Sequence, residues 1–316
     1  MPYTRQLSEK AAILREVFSR IGKLELPDVR VLMRGPWNYR NRSQFHLFRN
    51  AIGYLEAGSH NLCPIEYCAI SSPRINEALG ALIDMMRESR FPRFLRALEV
   101  FTNESGVQLN VRETERPIAK SFFDWCAERI PGYVPGALKY EAAGEHFRVS
   151  PGSFFQVNRF LMESMVETAL DGLEGESVLD LYAGVGLFTL PLARRFRSVS
   201  AVESNGSAYR DLQHNASQAG LEIRAVHGSS DVFLALAKEP PDVMLADPPR
   251  AGLGKKAVGE LLRLRPSTVV IVSCDPSTLA RDAAMLVSGG YRIERASMVD
   301  LFPQTYHIET IVRLVL

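Results

Sequence analysis

The sequence predicts an α/β protein: a parallel sheet covered by helices on both faces, preceded by a smaller α+β segment. Three observations carry this. From about residue 160, short apolar strands alternate with helical stretches, the rhythm of β-α-β units. Ahead of that, residues 29–114 read as short extended runs and a hairpin around one amphipathic helix. The composition is that of a globular chain: 316 residues, 46% apolar and 23% charged, enough to bury a sizeable core and far from a disordered chain.

The elements follow in order. Residues 8–22 have Leu14, Val17, Phe18 and Ile21 at helical spacing, with Ser8 as the expected N-cap. VRVLM, SQFHLF and AIGYL then look extended over residues 29–55, broken at Gly35-Pro36 and Arg49-Asn50. Residues 73–90 place Ile75, Leu79, Leu82, Ile83 and Met86 on one helix face. RALEVFTNE and GVQLNVRE alternate as a hairpin around Asn103–Gly106. FFDWCAERI is helical, with Cys126 on its apolar face, and the Gly-rich stretch PGALKYEAAGEH marks a boundary. The expected organisation is an N-terminal helix (1–28), a central α+β domain (29–145) and a C-terminal α/β domain (146–316).

Several classes are excluded. No apolar run approaches the roughly 20 residues of a membrane span, and the N-terminus lacks the pattern of a signal peptide. A soluble, cytoplasmic monomer is expected, with no membrane partner. Four cysteines, Cys63, Cys68, Cys126 and Cys274, are too few for a disulfide scaffold. The net charge of +1 hides a distribution: residues 1–50 carry +6, residues 51–150 carry −2 and the remainder −3. A basic first portion fits a polyanion at one end, or a solvated helix face.

Four motifs lie in the C-terminal half. In VLDLYAGVGLFTLPLA (178–193) a buried strand is expected to end at Asp180, and Gly184 and Gly186 make a tight turn into a helix, where backbone can approach a ligand. The next strand ends at Glu203, a carboxylate suited to a ribose diol. The spacing is not GxGxxG, so S-adenosylmethionine fits better than a dinucleotide. In DVMLADPPRAGL a strand ends at Asp247 before two stiffening prolines. In VVIVSCDPSTLARD, Cys274 stands at a strand exit before a helix, a position that favours thiolate. In the last motif, His307 and Glu309 are two apart in an extended segment, a base with its orienting partner or an edge-strand pair. Cys63 and Cys68 in CPIEYC are metal ligands or bystanders.

FRVSPGSFFQVN, VLDLYAGVGLFTL, DPPRAGL, SCDPSTLARD and DLFPQTYHIET occur here in the order seen in RNA (uracil-5-)methyltransferases, which the chain resembles over almost its whole length, including WNYRNRSQFH and GYLEAGSHNLCPIEYC. The resemblance implies a Rossmann-like, S-adenosyl-L-methionine-dependent domain and methylation of a uridine in RNA, rRNA rather than tRNA. It implies Cys274 as nucleophile and Glu309 as base. Gln156, Tyr182, Gly184, Glu203 and Asp247 become cofactor residues, and Phe154, Arg40, Arg42 and His307 RNA-facing ones. Thiolate addition at C6 makes C5 nucleophilic enough to take the methyl group, and a base then removes the C5 proton. Phe154 is a stacking surface or core, and Arg40 and Arg42 face phosphate or only solvent.

The chain also departs from the family. Ala183 stands where members usually carry Cys. GSSD replaces the usual acid or amide, leaving Ser229 or Asp231 to meet the adenine. Many members have a β-barrel and a CxxxxxCxxC motif ahead of the segment matching YTRQLSEK. Only Cys68 matches a ligand of that cluster, and one ligand cannot hold [4Fe–4S]. No iron–sulfur cluster or other metal is therefore expected; either the cluster is lost or the chain starts late. Two other readings stay open: an RNA-binding or folding factor with weak or vestigial chemistry, and a methyltransferase for another base or a small molecule.

Overall fold

The computed structural model describes all 316 residues. Helix α1 (Tyr3–Val17) runs on through a wider π turn at Phe18–Gly22 and is followed by β1 (Val29–Leu32). Next come β2 (Arg42–Phe48), β3 (Ala51–Leu55), β4 (Leu62–Pro64), α2 (Pro73–Met86), β5 (Leu95–Thr102), β6 (Val107–Thr114) and α3 (Lys120–Arg129). A hairpin of β7 (Leu138–Ala142) and β8 (Glu145–Val149) leads to α4 (Met162–Leu170). The alternating half comprises β9 (Ser177–Leu181), α5 (Thr189–Ala193), β10 (Ser198–Glu203), α6 (Gly206–Gln218), β11 (Arg224–His227), α7 (Ser230–Leu236) and β12 (Val243–Ala246). It ends with α8 (Gly254–Leu264), β13 (Thr268–Ser273), α9 (Pro276–Ser288), β14 (Arg292–Val299) and β15 (Glu309–Val315).

The large sheet has eight strands in the order β1-β14-β15-β13-β12-β9-β10-β11. Its alternating side chains feed two separate cores. Val178, Val243 and Leu245 face the α4 and α6 side, whereas Leu179, Met244 and Ala246 face α1, α8 and α9. The sheet is not wholly parallel, as expected from its rhythm. β15 runs antiparallel between β13 and β14. The reason is the connection: residues 300–308 join β14 to β15 without a helix, too short for a parallel crossover.

The smaller unit is an antiparallel sheet, β4-β3-β2-β5-β6, with its own buried cluster including Ile75, Leu79 and Leu82 of α2 and Trp125 and Cys126 of α3. Ser72 caps α2, its Oγ accepting from Ile75 N at 3.3 Å ahead of Pro73. The β5–β6 turn closes on Asn103, whose Oδ1 accepts from Gly106 N at 2.6 Å.

Three placements differ from the sequence reading. Ser8 caps nothing: α1 begins at Tyr3 after Pro2, and Ser8 Oγ donates back to Arg5 O at 2.9 Å. Ile21 is exposed, although Leu14 and Phe18 are fully buried. The domain limits shift as well. α1 packs its apolar face into the large sheet's core, and β1 pairs in parallel with β14. Tyr140, Phe147 and Val149 of the β7–β8 hairpin share the core of α4. The smaller unit is therefore an insertion running from β2 to α3. Periodicity identifies an element's type but not its partner.

One buried ion pair fastens the first helix to the last loop. Lys10 Nζ donates to Asp300 Oδ1 at 2.7 Å and to Phe302 O at 2.9 Å, and Tyr3 OH donates to Asp300 Oδ2 at 2.7 Å. Both charged side chains are almost wholly out of water. Removing one partner strands the other charge. Lys10→Met is expected to cost about 3–5 kcal/mol in urea unfolding. The double variant Lys10→Met/Asp300→Asn recovers most of that loss, and equal losses in the two would refute the pairing.

Candidate active site

The carboxyl edge of the sheet gathers the motif residues. β9 ends at Leu181, and the chain then turns through positive φ at Tyr182 (62°), Gly184 (58°) and Gly186 (100°). A non-glycine residue in the left-handed region is uncommon and concentrates at functional sites. Gly186 packs tightly: a methyl there would collide with the Leu190 and Leu212 side chains. Gly184 faces open space, with no atom within 4 Å of where a Cβ would stand. Glu203, at the end of β10, straps this turn. Its Oε2 accepts from Gly184 N at 2.8 Å and its Oε1 from Asn205 N at 2.6 Å. Each oxygen keeps a further lone pair for a ligand hydroxyl. The Tyr182 phenol is pushed up by burial and by Asp231, with Ser230 hydrogen-bonded to it.

Asp180 lies beneath the turn. Its Oδ2 accepts from Thr189 Oγ1, while its buried Oδ1 has no hydrogen-bond partner. Burial, with Asp247 and Glu203 adding negative charge, raises its carboxyl to about 7. Asp247, at the exit of β12, also rises to about 7 because the protein around it desolvates it; Gln156 Nε2, 3.2 Å away, opposes this by donating to Oδ2. Glu309, the first residue of β15, is held well above the ordinary carboxylate range by burial and by Asp247. These under-satisfied acids at one sheet edge suit a cationic ligand, which favours their charged forms.

Cys274 follows β13 directly and is half-buried. Asp275 caps α9, accepting from Ser277 N at 2.9 Å and Thr278 N at 3.0 Å. The helix N-terminus is where the sequence puts it, but the thiolate is not favoured as expected. Burial raises the thiol above its usual value, Glu309 adds to the rise, and Arg250 opposes it through charge and a hydrogen bond. Burial comes first, and the carboxyls brought in from β12 and β15 add to it. Arg250 is held near Cys274 by backbone ties: Thr278 Oγ1 donates to Arg250 O at 3.2 Å, and Asp282 accepts from Leu253 N at 2.7 Å.

His307 and Glu309 do not form a hydrogen-bonded pair. His307 lies 4.3 Å from the Tyr306 ring, and Arg250 Nη2 is 3.3 Å from both imidazole nitrogens. Strand geometry begins only at Glu309, so the alternation that aligned the two does not reach His307. Arg42 is likewise not a surface residue. Its guanidinium is buried against Phe101, donates to Ser153 O at 2.9 Å and pairs with Glu99 at 3.4 Å. β2 turns it inward, to the face it shares with β5. Arg40 is partly exposed, and its charge reaches His307.

Phe154 is 60% exposed, whereas Phe155 is buried among Phe101, Tyr140 and Phe147. Cys126 is buried and Cys63 exposed; Cys68 is buried with Tyr54 OH donating to its sulfur at 3.4 Å. No group of three or more His, Cys, Asp or Glu side chains is placed to hold a metal. Ser229 precedes α7, and Asp231 sits in its first turn.

Several supporting residues were missed in the sequence. Asp211 on α6 accepts from Ser150 N, Ser150 Oγ, Ser153 Oγ and Arg148 Nε, each at 2.7 Å, and so anchors the loop bearing Phe154 and Gln156. Asp282 does the same for the Asp247–Arg250 loop. Both are acids on the buried face of an amphipathic helix, a signal that was available. Asp180 and Arg250 lay within quoted motifs.

A helix-covered sheet with an open glycine turn, an acid closing the next strand and room for a cationic ligand defines the class: this is the fold of the S-adenosylmethionine-dependent methyltransferases. The sequence model of the tRNA (Uracil-5-)-methyltransferase family matches residues 130–237 and 235–315. The chain is 32% identical to the 23S rRNA (uracil(1939)-C(5))-methyltransferase RlmD of Aeromonas salmonicida, over 96% of this chain and 76% of that protein. It is 30% identical to an uncharacterized RNA methyltransferase of Aquifex aeolicus, over 99% of this chain and 79% of that one. The crystal structure of Pyrococcus abyssi tRNA (uracil-54, C5)-methyltransferase in complex with S-adenosyl-L-homocysteine superposes with a TM-score of 0.81 at 27% identity, covering all of this chain and 84% of that one. The chain belongs to the RNA (uracil-5-)methyltransferase family. No helix is long and apolar enough to cross a membrane.

The raised acids set a pH dependence. Asp180 and Asp247 titrate near 7 in the folded protein and near 3.9 when unfolded. Between those values the folded state holds more protons, so stability falls as pH rises through the window. Without ligand, the wild-type melting temperature should decline between about pH 4 and 7. Asp180→Asn should flatten that decline; an unchanged slope by scanning calorimetry would contradict the assignment.

Proposed function

We propose that this enzyme methylates C5 of a uridine in ribosomal RNA through a covalent adduct between Cys274 and C6. The observation that carries the reading is the meeting of one half-buried thiol, one buried carboxyl and one arginine at one sheet edge, where Ser273, just before Cys274, pairs with Thr310, just after Glu309. The 32% identity to the 23S rRNA enzyme, above the 27% to the tRNA enzyme, supports rRNA over tRNA as the substrate.

In this reading the Gly184 turn, Tyr182, Glu203, Asp247 and Gln156 hold S-adenosyl-L-methionine. The unpartnered Asp180 Oδ1 and the acid cluster fit its positive charge. When bound, it supplies an electrophilic methyl group to C5. Cys274 acts as the thiolate, with Arg250 beside it offsetting the acids. Its sulfur adds to C6, and the C5–C6 π pair becomes available at C5 and O4. After methylation, Glu309 takes the C5 proton. The C–H pair re-forms the C5–C6 double bond, and the C6–S bond breaks to return the thiolate. A carboxylate with a raised pKa is a stronger base than a solvated one, and cationic charge bound nearby returns it to its ionised form. Phe154 faces outward to stack on RNA bases, and Arg40 and His307 line the approach. The target base must leave its stack to reach the thiol.

Two variants and one mapping experiment test this. Cys274→Ala should abolish methyl transfer and form no adduct. Glu309→Gln should methylate C5 once and then accumulate a denaturation-resistant protein–RNA adduct on gels. Absence of that adduct would remove Glu309 as the base, and adduct formation by Cys274→Ala would remove the nucleophile. Mapping 5-methyluridine in rRNA and tRNA from cells with and without the gene identifies the substrate.

A further inference from the structure

We propose that Trp37, three residues before Arg40, is a stacking platform for a nucleobase of the substrate RNA beside the extruded uridine. The inference rests on the reading of RNA as substrate and adds a binding residue to it.

The two tryptophans of the chain are placed oppositely. Trp125 is 4% exposed, packed edge-on against Phe91 and Phe122 with the Arg90 guanidinium 4.0 Å from its ring. Trp37 is 50% exposed, and no aromatic ring or guanidinium of the protein covers its face. An indole so placed offers a large apolar surface with no partner in the fold.

The backbone that follows it is tied down. Asn38 N donates to Ala69 O at 3.0 Å, Arg159 Nε donates to Asn38 O at 2.9 Å, and Arg40 N donates to Ile70 O at 2.9 Å. The next ring, Tyr39, is fully buried, its OH donating to Pro303 O at 3.0 Å. A platform held this firmly loses little entropy when a base stacks on it.

The residues that follow it lead to the loop before the candidate base, through the bond from Tyr39 OH to Pro303 O. Pro303 lies in the loop that leads to Glu309, and Arg40 is close enough to His307 to act on its charge. Tyr306, in that loop, is 83% exposed. The surroundings match RNA rather than an apolar peptide. Residues 29–50 contain no acid and, besides the buried Arg42, four arginines, and aromatic rings between arginines are what stacked bases and their phosphates require. A base drawn out of its stack leaves a neighbour uncovered, and an exposed indole beside the entrance covers it.

Intrinsic fluorescence isolates Trp37, because the only other indole is buried. Titration with a short single-stranded oligouridylate should quench the wild-type emission and leave Trp37→Phe unquenched. Trp37→Ala should weaken oligouridylate binding on the order of tenfold. Phe48→Ala, which removes an exposed ring at the far end of β2, should bind as wild type. Binding of S-adenosylhomocysteine by calorimetry reports whether each variant is folded. The platform is overturned if quenching survives in Trp37→Phe, or if folded Trp37→Ala binds the oligonucleotide as tightly as wild type. If Trp37→Ala fails to fold, the Trp37→Phe titration decides alone. A wild-type protein that quenches with RNA yet forms no 5-methyluridine refutes the activity and leaves the platform standing.

Discussion

Strand β15 runs against both of its neighbours, and the chemistry of the sheet edge depends on that reversal. Parallel strands all finish at one edge; a strand running the other way begins there. Glu309 opens β15 opposite Val299, and Thr310 pairs with Ser273, the residue before Cys274. The acid therefore enters the edge where the thiol leaves it, although 35 residues of chain separate them. A parallel β15 would have started at the opposite edge and carried Glu309 a full strand length away. The short connection from β14 enforces the reversal, and the Lys10–Asp300 pair seats that connection against α1. The N-terminal helix thus bears on the geometry of the last strand.

Buried acids do two opposite things in this protein, and their donors tell them apart. Asp211 takes four hydrogen bonds, and Asp282 binds the backbone of Leu253 together with the Arg281 guanidinium. Such groups recover in the fold what they lost in water, and they fix the loops that carry Gln156 and Asp247. Asp180, Asp247 and Glu309 have few donors and crowd one another, so their ionised forms are disfavoured. The first group forms a scaffold. The second forms a recess that stays electrostatically unsatisfied until positive charge arrives.

What the sequence made legible follows from how far each signal extends. The hairpin around Asn103 and the α2 helix are local patterns, and both stand where their periods put them. The apolar strands ending at Asp247, Cys274 and Glu203 announce themselves by a change of residue type at the exit. Long-range facts were not legible. VRVL reads as a strand, but nothing in it names a partner more than 260 residues away. Arg42 reads as a basic residue near others, yet its burial is set by Glu99, Phe101 and Ser153. The acidity of Cys274 depends on its burial and on carboxyls from two other strands, so the helix end alone pointed the wrong way.

The charge layout constrains how a polyanion can use this edge. Acids lie along this edge, while Arg40 and Arg250 stand near His307 at its rim. Phosphates are drawn to the rim and find no cationic partner among the acids, so nothing there draws a strand of nucleic acid bodily into the site. An uncharged base on a flexible backbone can enter, and a cation is attracted to the same place. Entry of the base alone means that its neighbours remain outside, against whatever surface the rim presents. In this protein that surface is arginine interleaved with exposed aromatic rings. The nearly neutral total charge conceals this arrangement, because the layers cancel in the sum and act separately in space.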